Sequence, residues 1–435
     1  MNTFLQDSAA RKSPAPTTGH KMQHLRIPGR YLAGCALALG LLCSFPFAQA
    51  AEFDVLWSFK GPAQGDGAFP SAGLLRDSAG NLLGTTGGGG TASRGTVFKL
   101  APDGTETVLY SFKGGNGDGA GPGSQLVADA AGNLYGTTVG GGPGNGGSGF
   151  GTVFRLAPDG TETVLHFFSD QMKDGFYPMA GLVMDPAGNL YGTTQTGGTP
   201  CDNDKNGCGT VFEIMSGGEE KILHRFKGGD GSLPYYGSLV LDTAGNLYGT
   251  TAGVFTFGNI FKISPDGKET VLHTCRGSDE NDCQFPYGGL SIDQDGNLYG
   301  TSAEGGYRFG DVFKVAPDGT FTELYAFTGG KDSMYPDNGV MLDKSGNLYG
   351  TTQGTAGYAC QGCATVFRVT PDGKKSVLHR FERKDGGLGP WTELISDGNG
   401  YLYGTTNEGG TGGSGRRCGQ YVKSHGCGTV FRLKE

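Results

Sequence analysis

The sequence predicts an all-β protein, a seven-bladed β-propeller with four antiparallel strands in each blade. Three observations carry the prediction. The pattern Asp-x-x-Gly-Asn-Leu-Tyr-Gly-Thr-Thr begins at Asp77, Asp129, Asp185, Asp242, Asp293, Asp343 and Asp397, seven copies 50 to 57 residues apart, and a fixed period of that length marks a repeat architecture. Each unit holds four short strand-like segments divided by turn residues, with no helical period between them. The two ends of the chain are complementary parts of one unit.

The chain begins with a segment that reads as an export signal. Tyr31 to Ala50 is an apolar run closing on Phe47-Ala48-Gln49-Ala50, a small-x-small cleavage box behind a basic flank. Cleavage after Ala50 divides the chain into a signal over 1–50 and a single propeller over 51–435. The n-region is long, so translation starts at Met1 or at Met22, where Arg26 and Arg30 supply the flanking charge. The alternative, an N-terminal membrane anchor, fits less well because the run is short and ends in a cleavage box. No other stretch is long and apolar enough to span a membrane, which predicts a secreted or periplasmic mature chain.

The mature start, Phe53-Asp54-Val55-Leu56-Trp57-Ser58-Phe59, aligns with the fourth strand of a unit, as in Val108-Leu109-Tyr110-Ser111-Phe112. Within a unit, Gly181 to Asp185 is the first strand and Asp185-Pro186-Ala187-Gly188 a type I turn, each residue the preferred one for its place. Leu190 to Thr194 returns as the second strand, and Gly209-Thr210-Val211-Phe212-Glu213-Ile214 is the third. A Pro-Asp-Gly turn, as at Pro158-Asp159-Gly160, leads into a fourth strand such as Thr161 to Phe168. The glycine inside each second strand weakens it, and close approach of a neighbouring blade is the expected reason. The C-terminal Gly428-Thr429-Val430-Phe431-Arg432-Leu433 is a third strand. The N-terminal strand should therefore pair beside it as the outer strand of the last blade and close the ring.

Composition excludes some functions. Glycine makes up 84 of 435 residues without a Gly-x-y period, so the glycines serve turns and not a collagen helix. Formal charge is −8, and the segment after residue 50 is more acidic still, with 29 basic against 41 acidic residues. A chain this acidic without a basic block is not built for nucleic acid.

Eight cysteines follow the signal in close pairs, Cys201/Cys208, Cys275/Cys283, Cys360/Cys363 and Cys418/Cys427. Behind an export signal they read as local disulfides. Zinc is the rival for Cys360-x-x-Cys363, but no second pair lies in the same unit. All four pairs fall in the loops between second and third strands or between blades, which share one face and vary from unit to unit. Variable loops on a rigid frame are where binding usually resides.

Every blade-to-blade connection carries Asp and then Pro, with aromatics close by: Tyr177, Tyr235, Tyr236, Tyr287, Tyr335 and Trp391 among them. A ring of sugar-stacking platforms, with carboxylates for hydroxyls or calcium, is the functional reading. The plainer one, that they cap and pack each blade, is preferred because all the units share them. Residues that break the repeat are better candidates. Arg308 and Arg416 are possible ligand contacts, and Glu304, Glu408 and His425 are acid/base candidates. The plainer alternative is that these are solvated loop charges. His166, His224, His273 and His379 share one position on the outermost strand and read as surface residues that cannot gather around one metal.

The Asp-x-x-Gly-Asn-Leu-Tyr-Gly-Thr-Thr, Gly-Thr-Val-Phe-x-Leu and Pro-Asp-Gly-Thr-Glu-Thr-Val-Leu segments resemble the Gloeobacter/Verrucomicrobia-type (GloVer) tandem repeat of exported bacterial proteins. The resemblance spans nearly all of the mature chain. It implies an extracytoplasmic repeat protein and brings no catalytic residues. A looser likeness, confined to Asp-x-x-Gly-Asn-Leu-Tyr, links the chain to NHL-type propellers and to propeller lactonases and lyases. The expected function is an exported binding module for a glycan or an extracellular protein, without a required cofactor. The alternative is a periplasmic hydrolase or lyase acting on a lactone or acidic sugar at the channel mouth. Paired carboxylates facing the axis in one blade would favour the enzyme; equal blades would favour binding.

Overall fold

The computed structural model describes residues 52–435 apart from 145–147, 170–173, 202–204, 254–255, 278–281, 355–363, 383–386, 412–417 and 419–425. The expected signal segment, the Cys360/Cys363 pair, Arg416 and His425 lie outside the described residues. Among the described residues there are seven four-stranded antiparallel sheets, as the sequence predicts. Blade 1 runs from inner to outer strand as Leu75–Arg76, Leu82–Thr86, Thr96–Leu100 and Glu106–Ser111. Blade 7 takes Ile395–Ser396, Tyr401–Thr406 and Thr429–Lys434 from the C-terminal end, and Phe53–Ser58 is its outer strand. Phe53 lies opposite Leu433 and Ser58 opposite Thr429, so the ring closes through a ladder between the two ends of the propeller. One helical turn, Gly305–Arg308, interrupts a loop of blade 5. No helix among the described residues is long and apolar enough to cross a membrane.

Each part of the repeated motif has a bonding duty. Asp185 Oδ1 accepts the backbone N–H groups of Ala187 and Asn189, both at 2.9 Å. Its Oδ2 accepts Asn189 Nδ2 at 2.8 Å and the Tyr191 hydroxyl at 3.1 Å. Partial burial works against ionisation here, but these hydrogen bonds prevail and hold the carboxyl below its ordinary range. Gly188, at φ +84°, completes the turn by donating to the Asp185 carbonyl at 3.0 Å.

The two threonines that end the motif do different work. The first reaches the inner strand of the next blade: Thr85 Oγ1 donates to the Ser124 carbonyl at 3.0 Å, Thr250 to that of Gly288 at 3.0 Å and Thr405 to that of Ala72 at 3.2 Å. The second pairs within its blade, as Thr86 with Thr96 at 2.8 Å and Thr194 with Thr210 at 2.7 Å.

The second-strand glycine has a different cause from the one expected. A Cβ on Gly192 would stand 2.6 Å from Phe212 Cζ and 2.9 Å from Leu182 Cδ2, both in the same blade. The equivalents at Gly84, Gly249 and Gly404 meet Phe98, Phe261 and Phe431 at 2.6–2.7 Å. The crowding neighbour is thus the blade's own third-strand phenylalanine, folded over its cross-strand partner, and not an adjacent blade. That phenylalanine can then point into the blade interface. Phe98, Phe154, Phe212 and Phe261 meet Phe59, Phe112, Phe168 and Phe226 of the preceding blade edge-on at 5.0–5.2 Å. Facing Phe313 of blade 5, the buried Cys275 of blade 4 takes that place, bonded to Cys283.

Candidate functional site

Two candidate features, the acidic connections and the aromatics, separate once the loops are placed. The residue before each connecting proline carries the chain from blade to blade in a left-handed conformation. Phe69, Tyr177, Phe285 and Tyr335 have φ of 57–61°, and Gly121 and Gly389 take the same place at 65°. Tyr177 N–H donates to the Phe150 carbonyl of the preceding blade at 2.9 Å, while its carbonyl accepts from Gln195 N–H at 3.1 Å. Tyr335 is bonded in the same way to Phe309 and Gln353. Tyr177 also packs against Phe150 and Phe176. Tyr177 and Tyr335 are therefore stitches between blades, and the structure does not bring them to the axial cavity.

The connection carboxylates are likewise committed. Asp118 accepts from the N–H groups of Lys113 and Gly119 and from the Tyr110 hydroxyl. Asp66 accepts from Lys60 and Gly67 N–H. The outer-strand histidines join this arrangement, which corrects their reading as surface residues: His273 Nε2 lies 2.7 Å from Asp282, His224 3.1 Å from Asp230 and His166 3.5 Å from Asp174, all half-buried. A glutamate of the next blade completes two of these nodes. In His166/Asp174/Glu220 and His224/Asp230/Glu269 one donor atom of each residue lies within 4.8 Å of the others. Burial raises the carboxyls of Glu220 and Glu269. These nodes lie on outer strands, away from the axis.

The inner strands begin at the axis, and there the blades are unequal. Two residues before the buried core position, the seven units carry Ala72, Ser124, Ala180, Gly237, Gly288, Asn338 and Thr392; the next residue is Gly73, Gln125, Gly181, Ser238, Gly289, Gly339 and Glu393. Glycine leaves the axis open where it occurs. The resulting cavity of about 450 Å³ is walled by Trp391, Tyr236, Met179 and Phe69 and bears Asp337, Asn338, Glu393, Gln125 and Ser238.

Glu393 reaches towards blade 5. Burial pushes its carboxyl up to about 7 against the opposing Gly289 backbone hydrogen bond. Asp337 is also pushed up to about 7, by burial and then by the nearby Glu304 carboxylate. Its Oδ1 is buried without a hydrogen-bond partner. Tyr236, 40% exposed, meets Tyr235 edge-on at 4.2 Å, and Tyr235 in turn lies 5.7 Å from Tyr287. Burial, followed by Tyr235, raises the Tyr236 phenol, so it presents a neutral hydroxyl.

Of the ligand-contact candidates, the structure gathers Tyr235, Tyr236 and Tyr287 into one aromatic cluster and sets Tyr236 and Trp391 on the cavity wall. Arg308 is exposed at the end of the helical turn. Of the acid/base candidates, Glu304 is exposed and acts electrostatically on Asp337. Glu408 lies in a two-stranded ribbon opposite Leu388. Three of the expected disulfides are present, Cys201–Cys208, Cys275–Cys283 and Cys418–Cys427, with Cα separations of 5.9, 4.9 and 5.2 Å. Asp337, Glu393, Gln125 and Ser238 were missed. Aligning the residue before each inner-strand core position would have shown Gln125, Ser238 and Glu393 against glycine in the other four units, and Asp337 as the one carboxylate in its column.

The family model described as Gloeobacter/Verrucomicrobia repeat matches residues 38–257 and 235–435. No curated protein matches the chain. Among solved structures, a provisionally assigned gluconolactonase overlays at 13% identity and TM-score 0.42, covering 88% of this chain and 92% of its own. A luciferin-regenerating enzyme overlays at 12% identity and TM-score 0.44, covering 89% of this chain and 96% of its own.

Proposed function

This chain belongs to the Gloeobacter/Verrucomicrobia repeat family, and we propose that it is an exported binding module whose axial cavity takes a small glycan unit. One observation carries the reading: the axial cavity sets the Trp391 and Tyr236 rings beside the polar side chains of Asn338, Gln125 and Ser238. A cavity of about 450 Å³ falls within the range of small-molecule sites. Indole and phenol faces stack on sugar rings while polar groups at the rim fix hydroxyl orientation. Export is supported by the signal-like segment over 1–50 and by three disulfides that require an oxidising compartment.

The test is a glycan array and calorimetric titration of the purified protein. Selective binding, weakened tenfold or more (about 1.4 kcal/mol) in Trp391→Ala and Tyr236→Ala but unchanged in Tyr177→Phe, is the expected result. A blank array, or binding insensitive to both cavity substitutions, would remove the axial site.

A second reading, a hydrolase or lyase acting on a neutral lactone, is favoured by one feature. Two carboxyls that titrate near neutrality share the cavity, as general acid and base catalysts require. An acidic sugar fits poorly, since no Lys, Arg or His is among the described residues lining it. Lactone turnover abolished in both Asp337→Asn and Glu393→Gln would establish this reading; no turnover by the unaltered protein would dismiss it.

A further inference from the structure

We propose that the ligand of the axial cavity carries an ammonium group, seated between the Trp391 and Tyr236 rings and the Asp337 and Glu393 carboxyls. The inference rests on reading the cavity as a binding site and adds the charge of what it binds.

The cavity has no counter-charge of its own among its described lining residues. Elsewhere half-buried carboxylates are met either by a cation, as Lys375 meets Asp332 at 2.5 Å and Arg432 meets Asp54 at 2.5 Å, or by backbone N–H groups, as at Asp66 and Asp118. The described cavity lining has two carboxyls and no basic side chain. A carboxylate drawn out of water without a counter-charge is costly, and a cationic ligand relieves that cost where a neutral one does not.

The polar groups of the cavity divide into those already bonded and those left without a partner. Three of the cavity's amide and hydroxyl side chains already tie neighbouring blades together. Gln125 Nε2 donates to the Leu74 carbonyl at 3.0 Å, and Ser238 Oγ accepts from Gly181 N–H at 3.1 Å. Asn338 Nδ2 is within 3.3 Å of both Thr351 Oγ1 and the Pro390 carbonyl. The buried atoms without a partner among the described lining residues are acceptors, Asp337 Oδ1 and Asn407 Oδ1, and Glu393 receives one backbone hydrogen bond from Gly289. A ligand matching them brings donors. An ammonium brings donors and charge together, and its charge is also attracted to the faces of Trp391 and Tyr236.

Titration supports the geometry. Both carboxyls sit near neutrality, with Glu304 beside Asp337 and the Tyr236 and Tyr287 phenols, raised by burial, neutral around them. A bound cation favours their ionised forms, so binding should release protons and tighten as pH rises through 7.

Isothermal titration with choline and its neutral isostere 3,3-dimethylbutan-1-ol, and with glucosamine and glucose, tests the proposal. The expected result is at least a tenfold preference, about 1.4 kcal/mol, for the charged member of one pair or both. For choline, affinity should rise between about pH 6 and about pH 8 with proton release. Preference in the choline pair alone assigns a quaternary ammonium ligand; preference in the sugar pair alone assigns an amino sugar. Asp337→Asn and Glu393→Gln should each reduce the preference, while Trp391→Ala weakens charged and neutral members alike. Equal or tighter binding of the neutral members, sensitive to Trp391→Ala, would overturn the ammonium and leave the binding site standing. Absence of binding by all four, together with a blank glycan array, would overturn both.

Discussion

Gly192→Ala tests the account of the second-strand glycine. The added methyl would meet Phe212 Cζ at 2.6 Å and Leu182 Cδ2 at 2.9 Å, about 1 Å inside the ~3.5–4.0 Å carbon–carbon optimum. Phe212 cannot swing aside, because it is fully buried and its ring lies edge-on to Phe168 at 5.2 Å. Overpacking of this kind costs about 1–3 kcal/mol. It opposes the roughly 0.5–1 kcal/mol that replacing glycine would otherwise return in a strand. The assay is guanidinium unfolding of Gly192→Ala, Phe212→Leu and the double variant. Shortening the phenylalanine should recover at least ~1 kcal/mol of the alanine's cost as a coupling energy. A neutral or stabilising Gly192→Ala refutes the reasoning. An alanine cost that Phe212→Leu leaves untouched also refutes it.

Other perturbations follow from the same interfaces. Asp311 is fully buried where five other blades place threonine, and burial pushes its carboxyl well above the ordinary range. A raised carboxyl contributes stability at low pH that is lost as pH rises, so Asp311→Thr should stabilise, most visibly under alkaline conditions. Thermal melts at several pH values check this, and a lower Tm at alkaline pH would contradict it. Thr137 Oγ1 lies 3.0 Å from the Ala180 carbonyl of the next blade; Thr137→Val keeps the shape, strands that acceptor and should cost about 1–3 kcal/mol in denaturant titration. Burial, then the charges of Asp66 and Asp118 respectively, push Glu106 and Glu162 from 4.5 to about 7. Their contribution is full below about pH 4.5 and lost as pH rises through 7. The paired Glu106→Gln and Glu162→Gln variant should flatten that part of the stability profile; an unchanged slope would mean the pair does not titrate there.

The propeller was legible because its evidence is local and repeated. An aspartate that accepts its own turn's N–H groups, an asparagine and tyrosine that brace it, and a glycine at positive φ leave a signature within ten residues. Ring closure was legible too, since an outer strand at one end and three strands at the other can satisfy each other's edges only by pairing.

Other features depend on distance in space. Gly192 and Phe212 are twenty residues apart, and only the cross-strand register shows which neighbour the glycine accommodates. The histidines' carboxylate partners lie across a loop, so their burial followed from packing and not from strand alternation. The axial residues were visible as letters: Gln125, Ser238 and Glu393 stand where other units have glycine. Their importance emerges only when seven inner strands converge, because convergence alone turns separate side chains into one cavity and draws Asp337 and Glu393 from water together. The sequence by itself determined the repeat, the turns and the closure, all products of short-range hydrogen bonding. Tertiary structure decided which unequal residues meet, since burial and electrostatic coupling depend on proximity in space.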